Sequence, residues 1–260
     1  MISKKELSQH YQSKTPREHI LDAPDTYIGS TEQDTVKGWT INNEGDKMNH
    51  REYEIIPGLF KCFDEGIVNA RDHFIRLQDK MCKKVANIIP VRNIEITVNK
   101  ETGRITMFND GNGIDVEKHP ETKLWIPEMI FGHLRTSTNY NKKEKKVVGG
   151  KNGFGFKLVL IYAKEGTIET YDHIRKKKYT QNFSDNLSVI EDPVIRKLPG
   201  KKNTPYTKVS WIPDYKRFGV DKLTDDMFDL FKKRTHDISV ITDKSVKVKF
   251  NGVTVNLKSF

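Results

Sequence analysis

The stretch from Val148 to Ala163 constrains the fold more than any other part of the sequence. It places four glycines within seven residues, from Gly149 to Gly155, directly before an apolar run. Glycine adopts backbone angles that are closed to other residues and lets amide N–H groups come close to a ligand. A helix that follows such a loop points its unpaired N–H groups at an anion. The stretch therefore predicts a phosphate-binding loop and a buried helix, with Lys157 as a cation in the first helical turn.

Two common phosphate loops do not match this stretch. A P-loop needs Lys-Ser or Lys-Thr directly after its last glycine, whereas Phe156 follows Gly155. A dinucleotide-binding fingerprint that starts at Gly153 needs a third glycine where Leu158 stands. The segment before Gly149 is polar and does not predict a buried strand. The rest of the site must therefore be sought elsewhere in the chain.

Composition sets the class of protein. The chain has 260 residues, of which 35% are hydrophobic and 31% charged, which suits one large domain or two small ones. A net charge of +10 favours a polyanionic partner such as nucleic acid about as much as it favours a merely lysine-rich surface. The basic residues are clustered, which shifts the balance somewhat towards a polyanion. The clusters lie at 142–146, 175–178, 201–202 and 232–234.

Cysteine content and hydropathy indicate the cellular compartment of the protein. Cys62 and Cys82 form no CxxC pair, so we expect neither a zinc site nor a disulfide framework. A reducing, intracellular compartment fits this cysteine content. The sequence shows no stretch that predicts a membrane span and no signal peptide, so no membrane partner is expected.

Periodicity predicts an α+β fold. Apolar spacing predicts helices over about 59–80, 127–134, from 156, and over 224–237. Alternation predicts strands over 94–98, 105–108, 167–171, 178–183, 208–212, 246–250 and 253–257. We expect an extended arm with one short helix over 1–30, a loop-rich insertion over 31–56 and a loop over 109–113. The result is a two-layer sandwich with helices on one face of a mainly antiparallel mixed sheet, rather than a doubly wound parallel sheet.

Two polar residues share one face of the long helix. Glu65 and Asn69 are four residues apart, one turn from each other, and Asp72 follows on the same side. A solvated helix face would explain any one of them. Asn69, however, has a low helix propensity and gains nothing locally from its place in mid-helix. With the two glycine loops, these residues predict a nucleotide site that offers oxygen ligands for Mg²⁺ and a base to orient water.

The order and spacing of these features resemble the three boxes of the GHKL ATPases, which share the Bergerat fold. The boxes are Glu65-x-x-x-Asn69, the loop from Asn109 to Gly113, and the segment 149–157. Strings outside the boxes resemble, more narrowly, the N-terminal ATPase domain of eukaryotic-type DNA topoisomerase II. These strings lie at 18–21, 24–30, 57–61, 63–65, 126–134, 136–137, 139–140 and 206–209.

The resemblance implies a role for each matching residue. Glu65 would be the general base that activates water, and Asn69 would ligate the Mg²⁺ that accompanies ATP. Asn109 would meet the adenine, Lys157 would be a catalytic cation on the phosphate oxygens, and Tyr11 would reach the nucleotide of the partner subunit. The other residues that the resemblance places around the ribose and phosphates are Ser137, Thr138, Asn139, Gly150, Lys151, Asn152, Gly153, Phe154, Gly155 and Phe156.

Four positions depart from the family pattern. Arg71 and His73 interrupt the usual string after the base, and His73 puts a supporting contact in doubt. Lys151 stands for an arginine, which keeps the charge but loses the fork geometry. Phe156 stands for a small residue. Because the core roles survive, the resemblance implies an active but divergent member, from a virus or a distant eukaryote.

The resemblance also implies an organisation and a function. Residues 1–30 would be a dimer-exchange arm and 31–260 the ATPase domain, and the chain would lack the transducer and cleavage core, which makes slow hydrolysis an expectation. ATP binding would close a homodimer around a DNA duplex and couple hydrolysis to strand passage. The compartment would be the nucleus, or the host cytoplasm or virus factory for a virus. The alternative is an ATP-switched interaction module, like a chaperone or a chromatin clamp, without topoisomerase chemistry.

Overall fold

The computed structural model describes residues 14–41, 47–134, 155–198 and 204–255. The helices are α1 (Pro16–Asp22), α2 (Pro24–Tyr27), α3 (Pro57–Cys82), α4 (Ile126–Gly132), α5 (Gly155–Ile161) and α6 (Asp225–Val240). The first strands are β1 (Asp34–Ile41), β2 (Met48–Ile55), β3 (Asn93–Val98), β4 (Ile105–Asp110) and β5 (Ala163–Asp172). The remaining strands are β6 (Lys177–Ser184), β7 (Val189–Ile190), β8 (Val194–Lys197), β9 (Tyr206–Pro213), β10 (Lys247–Phe250) and β11 (Val253–Thr254).

The main sheet is mixed and mainly antiparallel, as the sequence predicts. Across the described ranges it has nine strands in the order β11-β10-β3-β4-β9-β5-β6-β7, with β8 also paired to β6. Strands β3 and β10 run parallel, and the other pairs of this sheet are antiparallel. Helices α3, α5 and α6 pack on one face and enclose the core. The predicted two-layer α+β sandwich is therefore confirmed.

Helix α3 lies directly on the centre of the sheet. A β-carbon at Gly66 would come within 2.6 Å of Met107 Sδ on β4 and within 3.2 Å of the Trp211 ring on β9. On the α6 side, the rings of Phe63 and Phe231 stack with their centroids 4.1 Å apart. The helix begins with proline at its first turn, where no intrahelical N–H is needed. These contacts fix the distance of α3 from the sheet and its rotation about its own axis.

Helix α5 is shorter than its apolar run suggests. It ends at Ile161, and β5 begins at Ala163, so the run spans the helix and the start of a strand. Phe156 stands edge-on to Phe131 of α4 at 5.5 Å and to Trp211 of β9 at 5.3 Å between ring centroids. The ring of Phe156 therefore anchors α5 in the core.

The segment 31–56 is not the loop-rich insertion that the sequence predicts. It forms an antiparallel hairpin of β1 and β2. The hairpin packs on α6, where Arg51 pairs with Asp226 at 2.7 Å and with Asp229 at 3.1 Å. Most of its side chains stay exposed. The strands consequently lack the apolar alternation that marks a half-buried strand in a sequence.

Asn109 and Asp110 end strand β4, which corrects the prediction of a loop at these residues. Their backbones pair with β9. The Asp110 carboxylate accepts hydrogen bonds from the backbone N–H of Arg92 at 2.6 Å and of Asn93 at 2.8 Å. The loop begins instead at Gly111, whose φ of +91° favours glycine.

The predictions of a C-terminal hairpin turn and of an N-terminal arm concern the two ends of the described chain. The turn at Asn251-Gly252 has φ of +47° and +80°, as a two-residue hairpin turn requires. Near the N-terminus, Ile20 is buried in the main core and its carbonyl oxygen accepts a hydrogen bond from Tyr162 Oη at 2.5 Å. The single short helix predicted there is the pair α1 and α2. Residues 1–13, which include Tyr11, lie outside the described residues.

The loop after β4 offers a test of the packing. A β-carbon at Gly113 would overlap the carbonyl oxygen of Tyr171 on β5. We expect Gly113→Ala to lower the free energy of unfolding by about 1–3 kcal/mol, because rigid backbone stands in the way. Urea denaturation measures this. Gly219→Asn is the control, since Gly219 has φ of +70° and no atom within 4 Å of an added β-carbon. Equal stability of Gly113→Ala and the unsubstituted protein would contradict the packing.

Candidate active site

Helix α3 presents a column of polar side chains. Glu65, Asn69 and His73 are spaced four residues apart and lie on successive turns of one face. Asn69 is exposed in mid-helix, whereas Ile67 on the opposite face is fully buried. Asp72, expected on the polar side, is also buried. The helix therefore holds Glu65 and Asn69 at the margin of the core rather than inside it.

The end of the glycine-rich segment meets this column. A β-carbon at Gly155 would lie 2.8 Å from Glu65 Oε2 and 3.6 Å from Asn69 Nδ2. A side chain at Gly155 would press against the Glu65 carboxylate, so the absence of one lets this backbone come close to the carboxylate and the carboxamide. The structure brings Glu65, Asn69 and Gly155 together, as the sequence predicts for a site in which a phosphate loop faces a base.

Lys61 adds a charge that the sequence analysis did not single out. Its Nζ lies 2.6 Å from Glu65 Oε1, one helical turn away. Burial alone would lower the pKa of Lys61, but the hydrogen bond and charge of Glu65 outweigh burial and raise that pKa. The spacing of four residues was a signal for this pair in the sequence. Lys61 therefore holds the Glu65 carboxylate in one orientation.

Asn109 belongs to a polar row on the helix-bearing face of the sheet. It lies opposite Thr207 on β9, which in turn lies opposite Thr170 on β5. The hydroxyl of Thr170 accepts a hydrogen bond from Ile114 N at 2.9 Å and donates to the Tyr206 carbonyl oxygen at 2.8 Å. Thr170 and Thr207 were missed in the sequence because strand register is not visible there. The row forms a polar floor under the helices.

The side chain of Asn109 is buried, and its carboxamide oxygen is available to accept a hydrogen bond from a ligand. Its Nδ2 donates to the carbonyl oxygen of Asp110 at 3.0 Å. Its Oδ1 accepts no hydrogen bond from any residue in the described ranges, and it is not sealed from solvent. An acceptor so placed suits an N–H donor of a ligand, such as the amino group of a purine.

His73 ties α3 to the loop that follows Asn109. Its Nε2 donates to the carbonyl oxygen of Asn112 at 2.7 Å. Burial lowers the pKa of His73 to about 4, so the ring is neutral at ordinary pH and carries its proton on Nε2. Asn112 Oδ1 accepts in turn from Ile89 N at 2.6 Å. His73, which departs from the family pattern, thus makes a hydrogen bond of its own to this loop.

Phe156 and Lys157 have different environments. The Phe156 ring is held in the core, so only the backbone of this residue can contact a ligand. Lys157 is only 2% exposed, so it is not a lysine of the open surface. Burial lowers the pKa of Lys157 to about 8, which keeps the ammonium mainly protonated at neutral pH.

Several predicted site residues lie outside the described residues. They are Tyr11, Ser137, Thr138, Asn139, Gly150, Lys151, Asn152, Gly153 and Phe154. Their roles remain predictions from the sequence. Of the predicted residues that the structure describes, Glu65, Asn69 and Gly155 lie together, whereas the contacts above do not join Asn109, Phe156 or Lys157 to them.

The residues present fit a metal–nucleotide complex better than a metal alone. In the part of the chain that the structure describes, no group of three or more His, Cys, Asp or Glu side chains could hold a metal ion. Mg²⁺ commonly takes one or two protein oxygens and completes its shell with phosphates and water. Asn69, an exposed carboxamide beside the backbone of Gly155, can supply such an oxygen.

The chain is similar to known proteins along its length. Residues 54–201 match the family described as histidine kinase-, DNA gyrase B- and HSP90-like ATPase. DNA topoisomerase 2 of Acanthamoeba polyphaga mimivirus is 45% identical over 260 residues, which cover 98% of this chain and 19% of that protein. DNA topoisomerase 2 of Pisum sativum is 41% identical over 259 residues, which cover 100% of this chain and 17% of that protein. The chain thus spans about a fifth of the length of these curated relatives.

Solved structures share the fold. The ATPase region of Saccharomyces cerevisiae topoisomerase II superposes with a TM-score of 0.89 at 39% identity, over 98% of this chain and 64% of that chain. The ATPase and transducer domains of DNA topoisomerase II from Balamuthia mandrillaris give a TM-score of 0.87 at 38% identity, over 96% of this chain and 61% of that chain. Among the described residues, no helix combines the length and apolar composition that a membrane span requires.

The Lys61–Glu65 pair gives a testable expectation for any reaction that uses Glu65 as a base. We expect Lys61→Met to lower kcat for ATP hydrolysis several-fold with little change in KM, because the carboxylate loses its partner but the binding surface remains. Lys233→Met is the matched control, since Lys233 pairs with Asp237 at the same spacing, 2.8 Å apart, on α6. An unchanged kcat in Lys61→Met would show that the pair is only a surface contact.

Proposed function

Because the protein belongs to the family of histidine kinase-, DNA gyrase B- and HSP90-like ATPases, we propose that it binds and hydrolyses ATP as the gate of a type II DNA topoisomerase. One observation carries the catalytic part of this proposal. The backbone of Gly155 lies so close to both Glu65 and Asn69 that an added β-carbon would stand 2.8 Å from the Glu65 carboxylate. A base and an oxygen ligand for the metal then stand beside the end of a phosphate loop.

Each described residue has one task in binding. Asn109 offers Oδ1 to the adenine amino group from the polar floor. The backbone around Gly155 approaches the phosphates, and Lys157 supplies a buried cation for their charge. Asn69 would hold Mg²⁺, which would neutralise phosphate charge when bound. The residues of 135–154 that the sequence assigns to ribose and phosphates complete this proposal.

Hydrolysis requires a base at the terminal phosphate. In the proposal, Glu65 takes a proton from the attacking water and releases it to solvent after phosphate leaves. Lys61 orients the carboxylate through the 2.6 Å contact. Lys157 offsets negative charge on the phosphate oxygens as the bond breaks. All three groups come from α3 and the start of α5, so their relative positions depend on how these two helices pack.

The wider role follows from the relatives. Proteins named DNA topoisomerase 2 match 98% and 100% of this chain, including the segments outside the ATP-binding boxes. We therefore extend the proposal to dimer closure on ATP binding, with the first 30 residues as an exchange arm, and to a DNA duplex as the captured partner. The whole protein would then act where DNA is found, in a nucleus or in an infected host cell. An ATP-switched interaction module without topoisomerase chemistry has less support.

The role of Glu65 can be tested by substitution. We expect Glu65→Gln to lower the rate of ATP hydrolysis by ~10²–10⁴-fold, the usual contribution of a general base, and to leave ATP affinity within a few-fold. Single-turnover hydrolysis and equilibrium nucleotide binding measure the two effects. Asp79→Asn is the control, because Asp79 is paired with Lys83 at 2.7 Å on the same helix but at its far end. A near-normal rate of ATP hydrolysis by Glu65→Gln would contradict the role of Glu65 as the general base.

The titration of Lys157 predicts a pH dependence of ATP affinity. In the free protein the pKa of Lys157 is lowered to about 8 by burial, and a bound triphosphate must raise it. The linkage therefore lowers ATP affinity as pH rises above about 8, by at most about tenfold per pH unit, and has little effect below. Lys157→Arg should remove this decline, and adenosine should not show it. ATP affinity that stays level well above pH 8 would contradict a phosphate contact by Lys157.

A further inference from the structure

An unusual set of like charges faces each other at the β6 edge of the sheet. Strand β8 pairs with β6 so that Lys177 lies opposite Lys197, and Lys178 lies opposite Arg196. Like charges directly opposite each other destabilise a strand pair. The two pairs are consecutive on an edge strand of only four residues. The stability of the sheet therefore does not explain why these like-charged residues face each other.

The turn before β6 adds a fifth basic residue. The carbonyl oxygen of Lys176 accepts a hydrogen bond from Leu198 N at 2.9 Å, which places Lys176 beside the end of β8. We call the five residues Lys176, Lys177, Lys178, Arg196 and Lys197 the basic edge. Its members come from both strands and from the turn that leads into β6, so they lie together along one edge of the sheet.

Acidic side chains neutralise only part of the basic edge. Lys177 lies 3.5 Å from Glu117, and Lys178 lies 2.7 Å from Glu169. Lys176, Arg196 and Lys197 are exposed, and none of the three has an ion pair with a residue in the described ranges. Three cations therefore remain available to an anionic partner.

The cations project to both sides of the sheet. Side chains alternate along a strand, so Lys177 shares a face with Phe183, which lies in the core. Lys178 and its partner Arg196 lie on the opposite, helix-free face, and Lys197 lies on the same side as Lys177. A surface that carries cations on both sides of an edge suits an extended polyanion, whose charges continue past the strand in each direction.

A simpler explanation is that the lysines protect the edge. Native proteins place lysine on edge strands to prevent pairing with another chain. That need explains charge on β8, but it does not explain why the facing residues of β6 and the turn are basic too. Acidic residues on β6 would have protected the edge equally well and would have removed the repulsion.

We propose that the basic edge binds the phosphate backbone of a DNA duplex without reading its sequence. The proposal rests on the proposed function, which makes DNA the partner of the protein. Lysine and arginine contacts to phosphate release condensed counterions, so binding must weaken steeply with salt. Phosphate contacts position a protein on DNA but carry no sequence information. The surface is built from elements other than α3 and α5, so it acts apart from the ATP site.

The test compares two triple variants with equal loss of charge. The edge variant is Lys176→Gln, Arg196→Gln, Lys197→Gln. The control is Lys37→Gln, Lys216→Gln, Lys244→Gln, which removes exposed lysines from other surfaces. Anisotropy of a short labelled duplex gives the affinity over a series of salt concentrations. We expect the edge variant to bind at least about tenfold more weakly, with the slope of log K against log salt reduced by about 0.9 for each lost contact.

Every outcome of the comparison is decisive. An edge variant with conserved charge, Lys176→Arg, Arg196→Lys, Lys197→Arg, should retain the affinity. If the edge and control variants lose equal DNA affinity, net charge alone explains the binding. If the edge variant loses no DNA affinity, the basic residues only protect the edge strand. Either result overturns the proposal. Displacement of DNA by polyglutamate at equal charge would also overturn it.

A separate titration distinguishes this proposal from the proposed function. ATP binding by the edge variant should equal that of the unsubstituted protein, because none of the substituted residues belongs to the ATP site. If the unsubstituted protein binds no ATP, the proposed function fails, whereas the DNA comparison still decides whether the basic edge binds the duplex.

Discussion

The packing of α3 at Gly66 is the constraint on which the rest of the structure depends. Because Gly66 has no side chain, the helix lies directly against Met107 and Trp211 of the sheet. This contact fixes the rotation of α3, which turns one face into the core and leaves Glu65 and Asn69 at its margin. A larger residue at Gly66 would lift the helix and move both polar groups. The site is therefore set by packing before any ligand is considered.

A second glycine completes the arrangement at the start of α5. Phe156 locks that helix between α4 and the sheet, and this fixes Gly155 beside the polar face of α3. The loop after β4 is held independently, through the contact of His73 with Asn112 at 2.7 Å and through the hydrogen bonds of Asp110. Three segments far apart in the chain are thus held together by direct contacts within the protein. Such preorganisation is what positioning and electrostatic catalysis require.

The sequence predicts features that depend on neighbours along the chain. The helix over α3 and its polar column follow from apolar spacing, and the turn at Asn251-Gly252 follows from backbone preference. The Lys61–Glu65 pair has the same local origin and could have been found. The hairpin of β1 and β2 could not, because Gly38, Thr40 and Arg51 occupy part of its more buried face and mask the apolar alternation.

Contacts between distant segments limit what a single sequence can predict. Asn109 was placed in a loop because Asn-Asp-Gly is typical of turns, yet Asp110 stabilises the strand end by binding the backbone at Arg92 and Asn93. Thr170 joins the polar floor only through strand register. The burial of Lys157 depends on how α5 packs, which a hydrophobic run alone does not predict.

The central claim is that Asn69 and Glu65, facing Gly155, form a metal–nucleotide site. The most direct measurement is a calorimetric titration of ATP into the protein and into Asn69→Ala, each with and without Mg²⁺. A direct oxygen ligand predicts a loss of Mg-ATP affinity of at least about tenfold in Asn69→Ala, since even groups that only support a ligand contribute that much. Affinity for metal-free ATP should change by less than about twofold. Equal losses with and without Mg²⁺ would contradict the account and leave Asn69 a purely structural residue.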